Sequence, residues 1–151
     1  MKGFTLIETL VAAAIFILII SGIYGIMHIA NISFSIDSGL VDLQQQARNA
    51  IYWIARETRE ASSVIITPIS PNNDDIIFDT PSEAGVSYSL IGTQVIREYP
   101  PGVTKVIGDN ITSLKFLRSG RILDIQLTAS KSVLLRPLSF SIREQVKLRN
   151  E

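Results

Sequence analysis

The 151-residue sequence has no cysteine and a single histidine, His28. The first absence excludes structural disulfides, thiolate metal sites, a cysteine nucleophile and thiol redox chemistry. The lone histidine lies inside an apolar run, so the polar part of the chain cannot build a Ser-His-Asp triad or a histidine zinc site. Net charge is lacking too: 14 Lys+Arg balance 14 Asp+Glu. Bulk attraction to nucleic acid or to anionic lipid is therefore not indicated. No Gly-rich phosphate loop, pair of catalytic acids or nucleophile elbow is visible. The inventory points to no enzyme and no cofactor.

What is present is distributed unevenly. Residues 1–36 hold only Lys2 and Glu8, so 26 of the 28 charges fall in residues 37–151. From Thr9 to Ile36 no residue is formally charged if His28 is neutral. Those 28 residues would span about 42 Å as a helix. The most apolar part, Leu10 to Ala30, is 21 residues long, and about 20 cross a bilayer core. Lys2 is the basic flank on the N-terminal side, which places the N-terminus in the cytoplasm and the polar bulk on the exported side. A cleaved secretory signal fits less well. Glu8 stands at the start of the apolar core, and Ala12-Ala13-Ala14 comes too early to follow a full hydrophobic region.

Glu8 is the anomaly, set among Phe4, Leu6, Ile7, Leu10 and Val11. An ionised acid costs about 2.5–3.5 kcal/mol at the centre of a membrane helix, and less near an end. It either reaches the headgroups or meets a positive partner. Here the residues resemble a known family: Lys2-Gly3-Phe4-Thr5-Leu6-Ile7-Glu8 is similar to the KGFTLIE motif of type IV prepilins and type II secretion pseudopilins. The resemblance implies cleavage between Gly3 and Phe4 by a prepilin peptidase on the cytoplasmic side, then N-methylation of the new Phe4 amine. It also implies that Glu8 pairs with the Phe4 amine of a neighbouring subunit and so selects the correct axial stagger. The leader, Met1-Lys2-Gly3, is shorter and less basic than family leaders usually are.

Ser21, Gly22, Gly25 and Gly39 interrupt the run, and each mid-helix glycine costs about 0.5–1 kcal/mol relative to alanine. They suit either close helix packing or a segment that bends on leaving the bilayer. Beyond Asp37 the helix continues as an amphipathic one. Leu40, Leu43, Ala47, Ala50, Ile51, Ile54, Ala61 and Ile65 recur at three- and four-residue steps. Trp53 falls off that stripe, against a sheet edge or a neighbouring subunit. Ser62-Ser63 and Pro68 end the pattern, giving one helix of roughly 55–60 residues.

Strand signals follow. Pro68 and Pro71 to Asp75 read as a loop, and Ile76-Ile77-Phe78 as a short strand. Val86–Ile91 and Gln94–Tyr99 flank Gly92-Thr93 as a hairpin. Ile111–Arg118 and Arg121–Ala129 flank Ser119-Gly120, which pairs Phe116 with Leu123, Leu114 with Ile125 and Lys115 with Asp124. A final strand alternates Leu138, Phe140, Ile142, Val146 and Leu148, with Glu144 the exception. The expected fold is α+β: a long N-terminal helix, membrane-spanning in its first half, on a mostly antiparallel sheet, as in pilins. The expected organisation is a leader at 1–3, a hydrophobic helix at 4–36, its amphipathic half at 37–63 and an exported β domain at 64–151.

This later part is also similar to one subset of the family. A helix end of the type Ala50-Ile51 to Arg59, a hairpin such as Tyr88 to Arg97, and a C-terminal strand closing in Val146-Lys147-Leu148-Arg149-Asn150 resemble J-type minor pseudopilins and PilW-like minor pilins. The resemblance implies a subunit of a tip or priming complex in the inner membrane and then at a filament tip. Its partners would be other pilin-type subunits and the prepilin peptidase.

Two further features invite chemistry. Asp74, Asp75 and Asp79 could offer oxygens to calcium, although their spacing lacks the alternation, central glycine and terminal glutamate of an EF-hand. A solvated turn is the simpler account. Residues 37–83 carry 3 basic and 8 acidic side chains, and residues 97–151 carry 10 basic and 5 acidic. That asymmetry suits internal pairing or contact between subunits. A third reading is a tip-borne binding module, for DNA through Arg118, Arg121, Lys131 and Arg136, or for a secreted substrate or surface. The DNA signal is poor, since no stacking aromatic is interleaved with those cations.

Overall fold

The computed structural model describes residues 5–149. The chain divides into two compact units, 1–37 and 38–151. One helix, α1 (Leu6–Thr58), contributes to both.

In the first unit α1 is apolar on every side, and Leu6, Leu10, Phe16, Leu18 and Ile26 are each more than half exposed. A helix apolar all round is made for lipid or for a bundle of like helices. It contains no proline and runs without a break, and Ser21 and Ser35 satisfy their hydroxyls on the carbonyls of Ile17 and Asn31. His28 stacks on Tyr24 one turn earlier, at 6.5 Å. Gly22 and Gly25 have open space where a side chain would stand.

In the second unit α1 buries Gly39, Leu43, Ala47, Ala50, Ile51, Ile54, Ala55 and Thr58. The expected stripe holds through Ile54. It fails at its end, because α1 stops at Thr58 rather than near residue 63. The Thr58 hydroxyl donates to the Ile54 carbonyl, and the amides of Glu60 and Ala61 tighten to three-residue bonds onto Glu57 and Thr58. The β-branched run that follows then takes strand geometry. Ala61 is buried off the helix, and Ile65 lies exposed on a strand.

Eight strands follow among the described residues: β1 (Ser63–Ser70), β2 (Asn73–Asp79), β3 (Val86–Ile91), β4 (Gln94–Glu98), β5 (Thr104–Gly108), β6 (Ile111–Ser119), β7 (Ile122–Val133) and β8 (Arg136–Lys147). They form one sheet in the order β5-β4-β3-β2-β6-β7-β8, with β1 paired to β2. The pairing is antiparallel except at Asn73–Leu114, where β2 meets β6 in parallel. The fold is α+β, with a mostly antiparallel sheet.

The sheet corrects three expectations. The loop at 68–75 shrinks, because Pro68 sits on the outer strand β1 and Asn73 to Asp75 belong to β2. An outer strand tolerates proline because one side makes no ladder. The β6–β7 register is shifted by two residues: Phe116 pairs with Ile125 and Leu114 with Leu127. The turn there is Gly120-Arg121, with Gly120 at φ 58° in the first loop position, as a type II′ turn requires. A shift of two keeps every side chain on its face, so the hydrophobic pattern could not discriminate. Lys115 therefore lies 3.7 Å from Asp74, not beside Asp124, and Asp124 is held by Arg143.

The core lies between α1 and the sheet, around Leu43, Ile54, Ile76, Phe78, Tyr88, Leu114, Leu123, Ile125 and Leu127. Burying each large aliphatic side chain is worth about 1.5–3 kcal/mol. Helix and sheet approach most closely at two glycines. A β-carbon on Gly39 would stand 2.7 Å from Val133 Cγ2, and one on Gly108 would stand 2.9 Å from the Ala50 β-carbon. Gly39 is therefore a packing residue. Trp53 lies at the sheet edge, with Arg56 at 5.6 Å and Lys105 of β5 at 5.3 Å from its ring.

Candidate functional site

The residues that bear on function begin at the start of α1. Thr5 precedes the first helical residue, and Glu8 stands in the first turn. The Thr5 amide and the Thr5 hydroxyl both donate to Glu8 Oε2, each at 2.9 Å. The Glu8 amide donates back to the Thr5 hydroxyl at 3.4 Å. This is a capping box: residue and third-following acid satisfy each other's unpaired amides. The negative carboxylate also complements the helix dipole at this end. Both bonds fall on one carboxylate oxygen, so the cap uses one side of Glu8.

The reading of Glu8 as an intersubunit partner or a headgroup charge does not include this cap. The signal was present in Thr5-Leu6-Ile7-Glu8, a threonine with an acid three residues on, directly ahead of an apolar run. Gly3 and Phe4, the expected cleavage pair, lie outside the described residues.

Residues 1–24 match the family model described as the prokaryotic N-terminal methylation motif. It is a type IV pilin-like prepilin signal. No curated protein and no solved structure matches the chain. The methylation motif and the long apolar helix that it overlaps are together consistent with anchoring in a membrane.

In the second unit the structure disperses the calcium candidates. Asp74 is buried, accepts the Phe116 amide at 3.0 Å and faces Lys115. Asp79 accepts from the Ser63 hydroxyl and the Gly85 amide, both at 2.8 Å, which holds its carboxyl below the usual range. Asp75 lies on the other face of β2 from Asp74, where burial and then the Asp74 charge push its carboxyl up. Among the described residues no group of three His, Cys, Asp or Glu gathers as a metal site would require.

The four cations of the DNA reading are also separated. Arg118 lies at the end of β6 and Arg121 in the β6–β7 turn, and Arg118 donates to the Val64 and Gly120 carbonyls. Lys131 and Arg136 lie near the other end of β7, with Lys131 Nζ 3.0 Å from Asp42. Eight to ten positions along β7, about 27–33 Å, separate Lys131 from Arg118 and Arg121. A different basic group forms instead: Arg59, Arg121, Lys147 and Arg149 line one surface cleft where α1 ends beside the β6–β7 turn.

A partly buried polar network joins α1 to β3 and β4. Tyr88 donates its hydroxyl to Glu57 at 2.8 Å, and Arg97 Nε reaches both Glu57 oxygens at 3.0 and 2.9 Å. Arg97 also bonds Glu83 at 2.9 Å. Burial, and then the Glu57 carboxylate, push the Tyr88 phenol far above its ordinary value, so it acts as a fixed donor. The network is structural: it pins the last turn of α1 to the sheet.

Proposed function

We propose that the protein is a minor pilin or pseudopilin, trimmed between Gly3 and Phe4 by a prepilin peptidase, methylated on the Phe4 amine, and assembled with other pilin-type subunits into a tip or priming complex. The observation that carries the reading is the methylation motif, at residues 1–24, running into a helix with no charge from Thr9 to Ile36. The role is non-catalytic. Apolar packing of that helix supplies the attraction, and Glu8 facing a neighbour's amine supplies the register, because either charge unpaired in an apolar bundle is costly. Partner choice falls to the sheet unit. The helix end Ala50 to Arg59 and the closing strand Val146 to Leu148 favour a J-type or PilW-like minor subunit.

Mass analysis of the N-terminal peptide, from cells with and without prepilin peptidase, tests this. A chain beginning at methylated Phe4, found only with the peptidase, is expected. A chain beginning at Met1 in both removes the amine that Glu8 is to meet, and the assembly mechanism falls.

A second reading has one observation in its favour, the cleft lined by Arg59, Arg121, Lys147 and Arg149. Four cations at one end of the sheet unit suit a polyanion carried past a filament tip. Binding of single- or double-stranded DNA should then fall steeply with salt, and Arg121→Glu with Lys147→Glu should abolish it. Unchanged weak binding in that variant removes this reading and leaves the assembly role intact.

A further inference from the structure

The β7–β8 hairpin reverses through two residues, Leu134 and Leu135, with Val133 paired to Arg136. Both leucines have positive φ, 49° and 63°. Left-handed geometry at both positions is the type I′ turn, which asparagine and glycine adopt readily and a branched side chain resists. Burial does not offset that strain: Leu134 is 59% exposed and Leu135 99% exposed. The sequence thus holds two large apolar side chains in open solvent on a turn that does not favour them. Backbone strain of this kind concentrates at contact sites.

The place of the turn says what it meets. Val133 and Leu138, on either side of it, close on Gly39. Gly39 is two residues beyond Asp37, where the charge-free segment ends. Chain connectivity alone therefore keeps the tip within roughly 10–15 Å of that point, whatever angle the two units take. Arg136 is exposed directly beside the leucines. An apolar tip with a flanking cation is the composition that settles at the boundary of acyl chains and headgroup phosphates. A protein partner fits less well, since specific interfaces cover about 800 Å² on each side and two leucines offer far less.

We propose that the Leu134–Leu135 tip inserts into the interfacial layer of the bilayer that residues 9–36 span, holding the sheet unit against that membrane's surface until the subunit is withdrawn. This rests on the membrane-anchored reading above. The helix supplies the affinity, so the tip acts at high effective concentration and two side chains suffice.

The absence of cysteine allows a direct test on the full chain. Leu135→Cys, Arg121→Cys and Ile17→Cys are each labelled with an environment-sensitive fluorophore. The proteins are reconstituted in phosphatidylethanolamine–phosphatidylglycerol bilayers carrying acyl-chain quenchers. Labels at Ile17 and Leu135 should be quenched, and the label at Arg121, at the far end of β7, should not. Quenching at Ile17 with Leu135 no better than Arg121 overturns the anchor and leaves the membrane reading standing. A Leu135 label shielded from aqueous iodide but untouched by the lipid quencher means that protein covers the tip, which also overturns it. No quenching at Ile17 removes the membrane reading and the anchor with it. The double variant Leu134→Asn, Leu135→Gly adds a control for folding. It relaxes the turn, so its melting temperature should hold or rise, while a label at Ser132→Cys in that background loses most of its quenching. A lower melting temperature with quenching retained would make the leucines structural and end the proposal.

Discussion

A glutamine at position 8 keeps an acceptor for the Thr5 amide and removes the charge. A valine at position 5 removes the hydroxyl and keeps the charge. Losing the threonine cap costs about 1 kcal/mol of helix stability. Losing the acid lowers the cost of inserting the helix but leaves a neighbour's amine unmatched. Glu8→Gln is therefore expected to insert in the membrane normally and to vanish from sedimented filaments, whereas Thr5→Val should still be found in them. Equal loss in both variants would make the cap, not the charge, the determinant. In the sheet unit, Glu57→Gln leaves Arg97 half-buried with a weaker partner. It should lower stability to urea by about 2 kcal/mol. Acid should act through Asp79 and Asp124, whose carboxyls are held below the ordinary 3.8, Asp79 by Ser63 and then the Gly85 amide, Asp124 chiefly by Arg143. Because the folded state favours their charged form, their contribution is complete above about pH 5 and is lost progressively as pH falls below that. Asp75 opposes them, since burial and then the Asp74 charge push its carboxyl up, and its protonation relieves both. Asp124→Asn should flatten the acid limb of a melting-temperature profile, and Asp75→Asn should raise stability at pH 7.

At the scale of elements, the seam between α1 and the sheet is set by residues with no side chain. Gly108→Ala would bring a methyl within 2.9 Å of the Ala50 β-carbon and 3.3 Å of the Gln46 carbonyl oxygen. Overpacking of that kind costs about 1–3 kcal/mol. Gly25→Ala, with nothing within 4 Å, should leave the melting of the sheet unit unchanged. The same seam marks how far sequence reading carries. The stripe from Leu43 to Ile54 was legible because period and burial agree there. The strands β3, β4, β6 and β7 were legible because Gly92 and Gly120 punctuate them. The end of α1 was not, because Ala61 and Ile65 continue the helical period by coincidence while Ser63 to Thr67 pair with β2. The β6–β7 register was missed by two because parity alone identifies a face, not a partner. Strand β5, with Lys105 over Trp53, had no pattern of its own: Thr104, Lys105 and Val106 are all exposed. Gly3, Phe4 and Glu8 were legible as a motif. The cap on Glu8 was overlooked because the acid was weighed as a charge and not as a hydrogen-bond acceptor.

For the molecule as a whole, the acidic first half and the basic second half meet each other. Among the described residues, Glu57 and Glu83 pair with Arg97, Asp74 with Lys115 and Asp42 with Lys131, each an acid from 37–83 with a base from 97–151. Four of the eight acids and three of the ten bases are matched in this way, so part of the asymmetry is internal, and the cleft at Arg121 and Lys147 is one of the places left for outside contacts. The Asp42–Lys131 pair spans 89 positions of sequence, and the strands that cover Gly39 are the last two. A ribosome supplies roughly 5–20 residues each second, so the helix face emerges about 5–20 s before its lid. Through that interval the helix around Gly39 lacks its cover. A chain stopped at Ser132 never leaves that condition and should be degraded, which pulse-chase of the truncated product would show. The last hairpin is in this sense a clock: the subunit becomes protease-resistant when its final strands arrive, and no earlier.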